Sequence, residues 1–93
     1  MYKNYKNIKF LDCESIEGRE SRFKMHKGLY NLCKRHGAVL DLATSDINIY
    51  IQNGSQKLFD RVKQIYPNRL NNDGEVVGGV QWEDEEAKEI CIW

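Results

Sequence analysis

The sequence has little proline, and it has few of the cysteines and histidines that build disulfide-bonded or metal-bound scaffolds. It holds one proline, two histidines and three cysteines in 93 residues. An odd number of widely spaced cysteines does not suit a disulfide framework and is typical of a reducing compartment. Cys33 and His36 share a helix face, but structural zinc sites need a second ligand pair that is missing here. We therefore expect free thiols, a cytoplasmic location, and neither metal nor cofactor.

Long apolar runs are also missing. No stretch approaches the roughly 18–20 residues that span a bilayer. The basic N-terminus is not followed by an apolar segment, so we expect no secretory signal and no membrane partner. Hydrophobic residues make up 41% of the chain and charged residues 30%, which is typical of globular proteins. Ninety-three residues suit a single compact domain over 1–93.

The sequence also lacks residues at a spacing typical of a catalytic site. Cys13 and Cys33 fall in apolar patterns, and His26 has no partner at a spacing typical of nucleophilic catalysis. The Gly78-Gly79 pair lacks the lysine and the following helix of a phosphate-binding loop. The sequence therefore predicts a protein that is not an enzyme.

The formal net charge of the chain is zero, yet basic residues are concentrated in its first part and acidic residues in its second. Residues 1–36 carry nine Lys/Arg and four Asp/Glu, a formal charge of +5. Residues 37–93 carry five Lys/Arg and ten Asp/Glu, a formal charge of −5. Such asymmetry between halves indicates charged partner surfaces.

Hydrophobic periodicity predicts an α+β fold with the order β-α-β-β-α-β-β. Strands are expected over 7–13, 38–44, 47–52, 75–82 and 88–93, and helices over 21–36 and from Ser55 to Pro67. The first six elements match the ferredoxin-like split β-α-β, an antiparallel sheet with two helices on one face. Ile47, Ile49 and Ile51 are expected to point inward. Close contacts are expected at Gly28 and at Gly78-Gly79.

An acidic run near the end of the chain carries the leading functional hypothesis. We predict a small binding or modulator protein that docks on a larger protein or nucleoprotein. An inhibitor encoded by a phage or another mobile element is one concrete version. Tryptophan is enriched at interface hot spots. The predicted contact residues are the run and its flanking tryptophans: Trp82, Glu83, Asp84, Glu85, Glu86 and Trp93. Open sheet edges would also permit a homodimer.

Binding of RNA or DNA is the first alternative. It would use basic side chains of the first helix together with an aromatic side chain on the open sheet face. The residues concerned are Arg22, Lys24, Lys27, Lys34, Arg35 and Tyr50.

A metal-dependent nuclease is the second alternative. Asp12 ends the first strand, Glu14 follows it, and Asp41 or Asp46 lies on the predicted hairpin. Strand-end carboxylates can hold Mg²⁺ for phosphodiester chemistry. With the first helix ending in Leu29, Leu32, Cys33 and Gly37, this arrangement resembles the small ferredoxin-like subunits of CRISPR spacer acquisition. The resemblance implies a ferredoxin-like fold and a nuclease acid at Asp12.

Overall fold

A computed structural model describes residues 6–43 and 47–93 of the chain. The turn expected at Ser45-Asp46 between the predicted strands 38–44 and 47–52 lies outside these residues. So do Tyr2 and Tyr5, two aromatic residues that could stack on bases. The helices are α1 (Ile16–Met25), α2 (Lys27–Arg35) and α3 (Gln56–Ile65). The strands are β1 (Ile8–Lys9), β2 (Val39–Asp41), β3 (Ile49–Gln52), β4 (Arg69–Leu70), β5 (Val76–Gly78), β6 (Val80–Asp84) and β7 (Glu89–Ile92).

The main sheet has five strands in the order β1-β2-β3-β7-β6, and β4 and β5 form a separate two-stranded sheet. β1 and β2 are parallel, while the other neighbours in the main sheet are antiparallel. The α+β class is confirmed, and so is the pairing of β2 with β3, in which Leu40 lies opposite Ile51. The ferredoxin-like order is not confirmed, because β1 and β2 are direct neighbours and no strand separates them.

The two faces of the sheet differ because side chains alternate along each strand. The register places Leu40, Ile51, Ile90 and Trp82 side by side on one face. This face forms one apolar core with buried residues of α2 and α3, among them Leu32, Leu58 and Val62. The opposite face carries polar side chains. Both helices therefore lie on the same side of the sheet.

The predicted helix over 21–36 is wrong in its extent. Two helices occupy this region, and α1 begins earlier because the Ser15 hydroxyl caps it by accepting the Gly18 N–H at 3.0 Å. His26 separates the helices with φ −114° and ψ 20°. Its N–H closes α1 on the Arg22 and Phe23 carbonyls. A continuous helix over 21–36 would place Met25 on the same apolar face as Leu29 and Leu32. Beside the break, Met25 is instead 72% exposed.

Several other local expectations are wrong. β1 is limited to Ile8–Lys9, and Ile47 is 88% exposed. A Cβ at Gly28 would meet nothing within 4 Å. The expected strand over 75–82 is divided at Gly79, whose φ is +150°. The close contact predicted at Gly78-Gly79 is confirmed, because the side chains of Arg69 and Asn68 lie against these glycines.

The predicted ends of the other helical segments are confirmed. Gly37 has φ +69° just beyond α2, the left-handed conformation that often closes a helix. The Ser55 hydroxyl accepts the Leu58 N–H at 3.1 Å at the start of α3, which ends at Ile65 before Pro67. Within the described residues, no helix combines the length and apolar character needed to cross a bilayer.

Candidate functional site

The acidic run lies at the turn between β6 and β7; we call β6, β7 and this turn the acidic hairpin. Glu83, Asp84, Glu85 and Glu86 are all exposed. The Asp84 carboxylate accepts the Ala87 N–H at 3.0 Å, which orders the turn. The Lys88 ammonium lies 5.1 Å from the centre of the Trp82 ring. All four acids are therefore exposed to solvent, and the Lys88 cation within the turn is engaged with the indole.

The two tryptophans are at opposite ends of the acidic hairpin. Trp82 is half-buried, and its ring stacks on Phe59 of α3 at 4.6 Å with an interplanar angle of 12°. Trp93 follows β7 at the end remote from the turn, where its backbone pairs with Gly79. The structure therefore keeps Trp82 beside the four acids and separates Trp93 from them.

Trp93 instead lines an apolar groove of about 440 Å³. Ile65 and Tyr66 at the end of α3 form one wall, and Ile47 and Ile92 contribute further apolar surface. The Arg69 guanidinium at this groove donates a hydrogen bond to the Trp93 carbonyl at 3.0 Å. No sequence pattern pointed to this groove, because its walls come from segments that are distant along the chain.

β6 is an outer strand of the main sheet. Gly79 and Trp93 exchange both backbone hydrogen bonds, at 3.0 and 2.9 Å, and so form a hydrogen-bonded pair. Such pairs alternate along an antiparallel ladder. The backbone N–H and C=O groups of Val80 and Trp82 therefore point away from β7, toward the outer edge.

The predicted nucleic-acid-binding residues do not form one surface. The Arg22 side chain is 17% exposed, lies 2.7 Å from Glu14, and donates to the Leu42 carbonyl at 2.6 Å. Lys24 lies 3.4 Å from Glu20, whereas Lys27, Lys34 and Arg35 are exposed on α2. Tyr50 pairs with Cys91 on the sheet face opposite the helices. The sheet thus separates Tyr50 from the helical cations.

A second groove, between α2 and α3, is lined by basic side chains and was not predicted from the sequence. Its volume is about 390 Å³, and its cations are Arg35 from α2 and Lys57 and Arg61 from α3. Lys57 and Arg61 are four residues apart and so share one helix face. This spacing is visible in the sequence, but only the tertiary packing of α3 beside α2 joins it to Arg35.

The carboxylates proposed for metal binding have separate roles. Asp12 is exposed, and Glu14 pairs with Arg22. Asp41 is buried, with one oxygen accepting the Ala43 N–H and the other the Gln52 amide, both at 2.9 Å. Asp46 lies outside the described residues. Within 6–43 and 47–93, no three His, Cys, Asp or Glu side chains are grouped to hold a metal ion.

The Cys33 thiol is fully buried in the apolar core. Burial raises the pKa of Cys33 to about 12, so the thiol stays protonated at neutral pH. Metal ligation and nucleophilic attack both need the thiolate. Cys33 therefore acts as a packing residue in this fold.

Comparisons of the chain with protein-family models, with curated proteins and with solved structures find no match.

Proposed function

We propose that this protein is a binding module whose acidic hairpin receives a basic, extended segment of a larger protein. The main observation in support is that β6 is an outer strand, with one edge not paired to another strand of the main sheet in the described residues. An extended segment can add to such an edge through backbone hydrogen bonds, with neighbouring side chains giving specificity. The outward backbone groups of Trp82 supply a donor and an acceptor, and those of Val80, a residue only 6% exposed, lie farther along the same edge.

Charge defines the chemistry of the partner. Four exposed acids follow Trp82, and Lys88, the cation of the turn, lies over the indole. Complementary charge accelerates encounter and disfavours acidic partners. A segment rich in Arg or Lys is therefore preferred over a neutral or acidic one. Docking of this kind would modulate the larger protein, and an inhibitor carried by a phage in the cytoplasm is one form of the proposal.

A defined peptide tests this mode of binding. The probe alternates Thr and Arg, and its control alternates Thr and Glu. We expect amide NMR shifts at Val80 and Trp82, with slower hydrogen exchange there, on adding the basic peptide only. Shifts confined to other surfaces, or equal responses to both peptides, would refute the proposal. Self-association through β6 would appear as concentration-dependent shifts without peptide, and it would also count against a basic partner.

A charge-reversal variant adds a quantitative test. Replacing Glu83, Glu85 and Glu86 with Lys should weaken peptide binding about tenfold or more, since the three exposed ion pairs lost contribute about 0.5 kcal/mol each. The matched control reverses three exposed acids elsewhere, Asp12→Lys, Glu17→Lys and Asp73→Lys. Equal weakening by both variants would mean that only net charge matters and that the hairpin is not the site.

A further inference from the structure

The groove between α2 and α3 is the second charged surface of the molecule. Leu32 is buried at the groove, and Arg35, Lys57 and Arg61 are exposed around it. Asp60 is the carboxylate among the lining residues, and it accepts a hydrogen bond from the Gln56 amide at 2.9 Å. Three cations against one carboxylate give the groove a local excess of positive charge, although the whole chain is neutral.

The C-terminal end of α2 borders this groove, and free carbonyls there would repel an anion. Backbone N–H groups instead donate hydrogen bonds to carbonyls in the last turn of α2. The Leu32 and Cys33 carbonyls accept the His36 N–H at 3.3 and 3.0 Å, and the Lys34 carbonyl accepts the Gly37 N–H at 3.1 Å. The left-handed Gly37 makes this closure feasible. These bonds lower the repulsion that the end of α2 would exert on an anion, and the three cations attract one.

We infer that this groove binds the phosphate groups of a single nucleic-acid strand, without reading its sequence. Arginine and lysine are the side chains that neutralise backbone phosphates. The lining holds no Phe, Tyr or Trp side chain, and its imidazole, His36, is half-buried at the end of α2, so contacts to the backbone are favoured over base stacking. Arg61 is steadied by its hydrogen bond to Gln64 at 3.0 Å, which keeps its guanidinium at the groove.

The test measures binding of a fluorescent oligothymidylate by anisotropy at several salt concentrations. Three contacts to a single strand should make log affinity fall with log salt with a slope of about −2. Replacing Arg35, Lys57 and Arg61 with Gln should weaken binding about tenfold and flatten that slope. Absence of binding at low salt, or an unchanged slope, would overturn the inference.

Matched variants separate the groove from general electrostatics. Lys24→Gln, Lys27→Gln and Lys34→Gln remove the same number of charges from the basic helix face predicted by sequence, and they should alter affinity little. Asp60→Asn should strengthen binding, a gain that a folding defect does not produce. Equal losses in the two triple variants would overturn the inference. So would binding of tripolyphosphate without binding of the oligonucleotide.

Discussion

The three cysteines have different environments. Cys33 and Cys91 are buried, whereas Cys13 is exposed in the turn before α1. Burial raises the pKa of Cys91, and the negative charge of Glu83 raises it further. Burial raises the pKa of Cys33 to about 12, although a backbone hydrogen bond acts in the opposite direction. Protonated, inaccessible thiols react slowly with disulfide reagents.

We therefore predict one fast-reacting thiol in the folded protein and three after denaturation, measured with Ellman's reagent. The Cys13→Ser variant should show no fast thiol in the folded state. Rapid reaction of a second cysteine in the native wild-type protein would contradict the burial of Cys33 and Cys91.

Arg22 shows why residue type alone does not predict which basic side chains are exposed. A basic residue on a helix is usually solvated, and the sequence places Arg22 beside other cations. In the fold it donates to the Leu42 carbonyl at 2.6 Å and pairs with Glu14, which follows β1. Both contacts depend on how α1 packs across the end of β2, which no local pattern encodes.

The elements show which local patterns were reliable. Ser55 begins α3 and Gly37 closes α2 as predicted, because capping depends only on residues within one turn. The break at His26 was missed because helical periodicity over 21–36 looks continuous in one dimension. The strand limits were also missed, since a strand ends where its neighbour stops pairing with it.

Two glycines give a matched prediction at this scale. Gly28 lies in α2 with open space around it, so Gly28→Ala should stabilise the fold by about 0.5–1 kcal/mol. Gly79 has φ +150°, and a Cβ there would contact Asn68, so Gly79→Ala should cost about 1–3 kcal/mol. Urea unfolding of both variants measures these free energies. Destabilisation by Gly28→Ala would mean that another element approaches α2 at that point.

At the scale of the whole molecule, the described residues share one continuous apolar core. It extends from Phe10 after β1 to Ile92 in β7, and Trp82 packs against it. A single core predicts cooperative unfolding in one step. The two tryptophans report on different regions, because Trp82 stacks on α3 and Trp93 lines the apolar groove.

Single-tryptophan variants test this cooperativity. In Trp82→Phe and in Trp93→Phe, the urea midpoint from the remaining indole fluorescence should match the midpoint from far-ultraviolet circular dichroism. An earlier fluorescence transition in Trp82→Phe would show that the Trp93 region unfolds separately, and that the core is not one cooperative unit.

The distribution of charge was only partly predictable at this scale. The acidic run stays together because its members are consecutive and lie on one hairpin. The positive half does not form one surface, since Arg22 is paired with Glu14 and bonded to the Leu42 carbonyl, whereas Lys34 and Arg35 are exposed on α2. Lys57 and Arg61, from the negative half of the sequence, join Arg35 at the basic groove.

The sequence by itself determined the α+β class, the caps at Gly37 and Ser55, the β2–β3 pairing and the exposed acidic turn. These depend on residues close along the chain, whose interactions are local. Only the tertiary structure decided the strand order, the contact of Trp82 with Phe59, the groove lined by Trp93 and the basic groove between α2 and α3. Each of these joins segments far apart in the chain, and their meeting depends on how the faces of the sheet and helices are buried together.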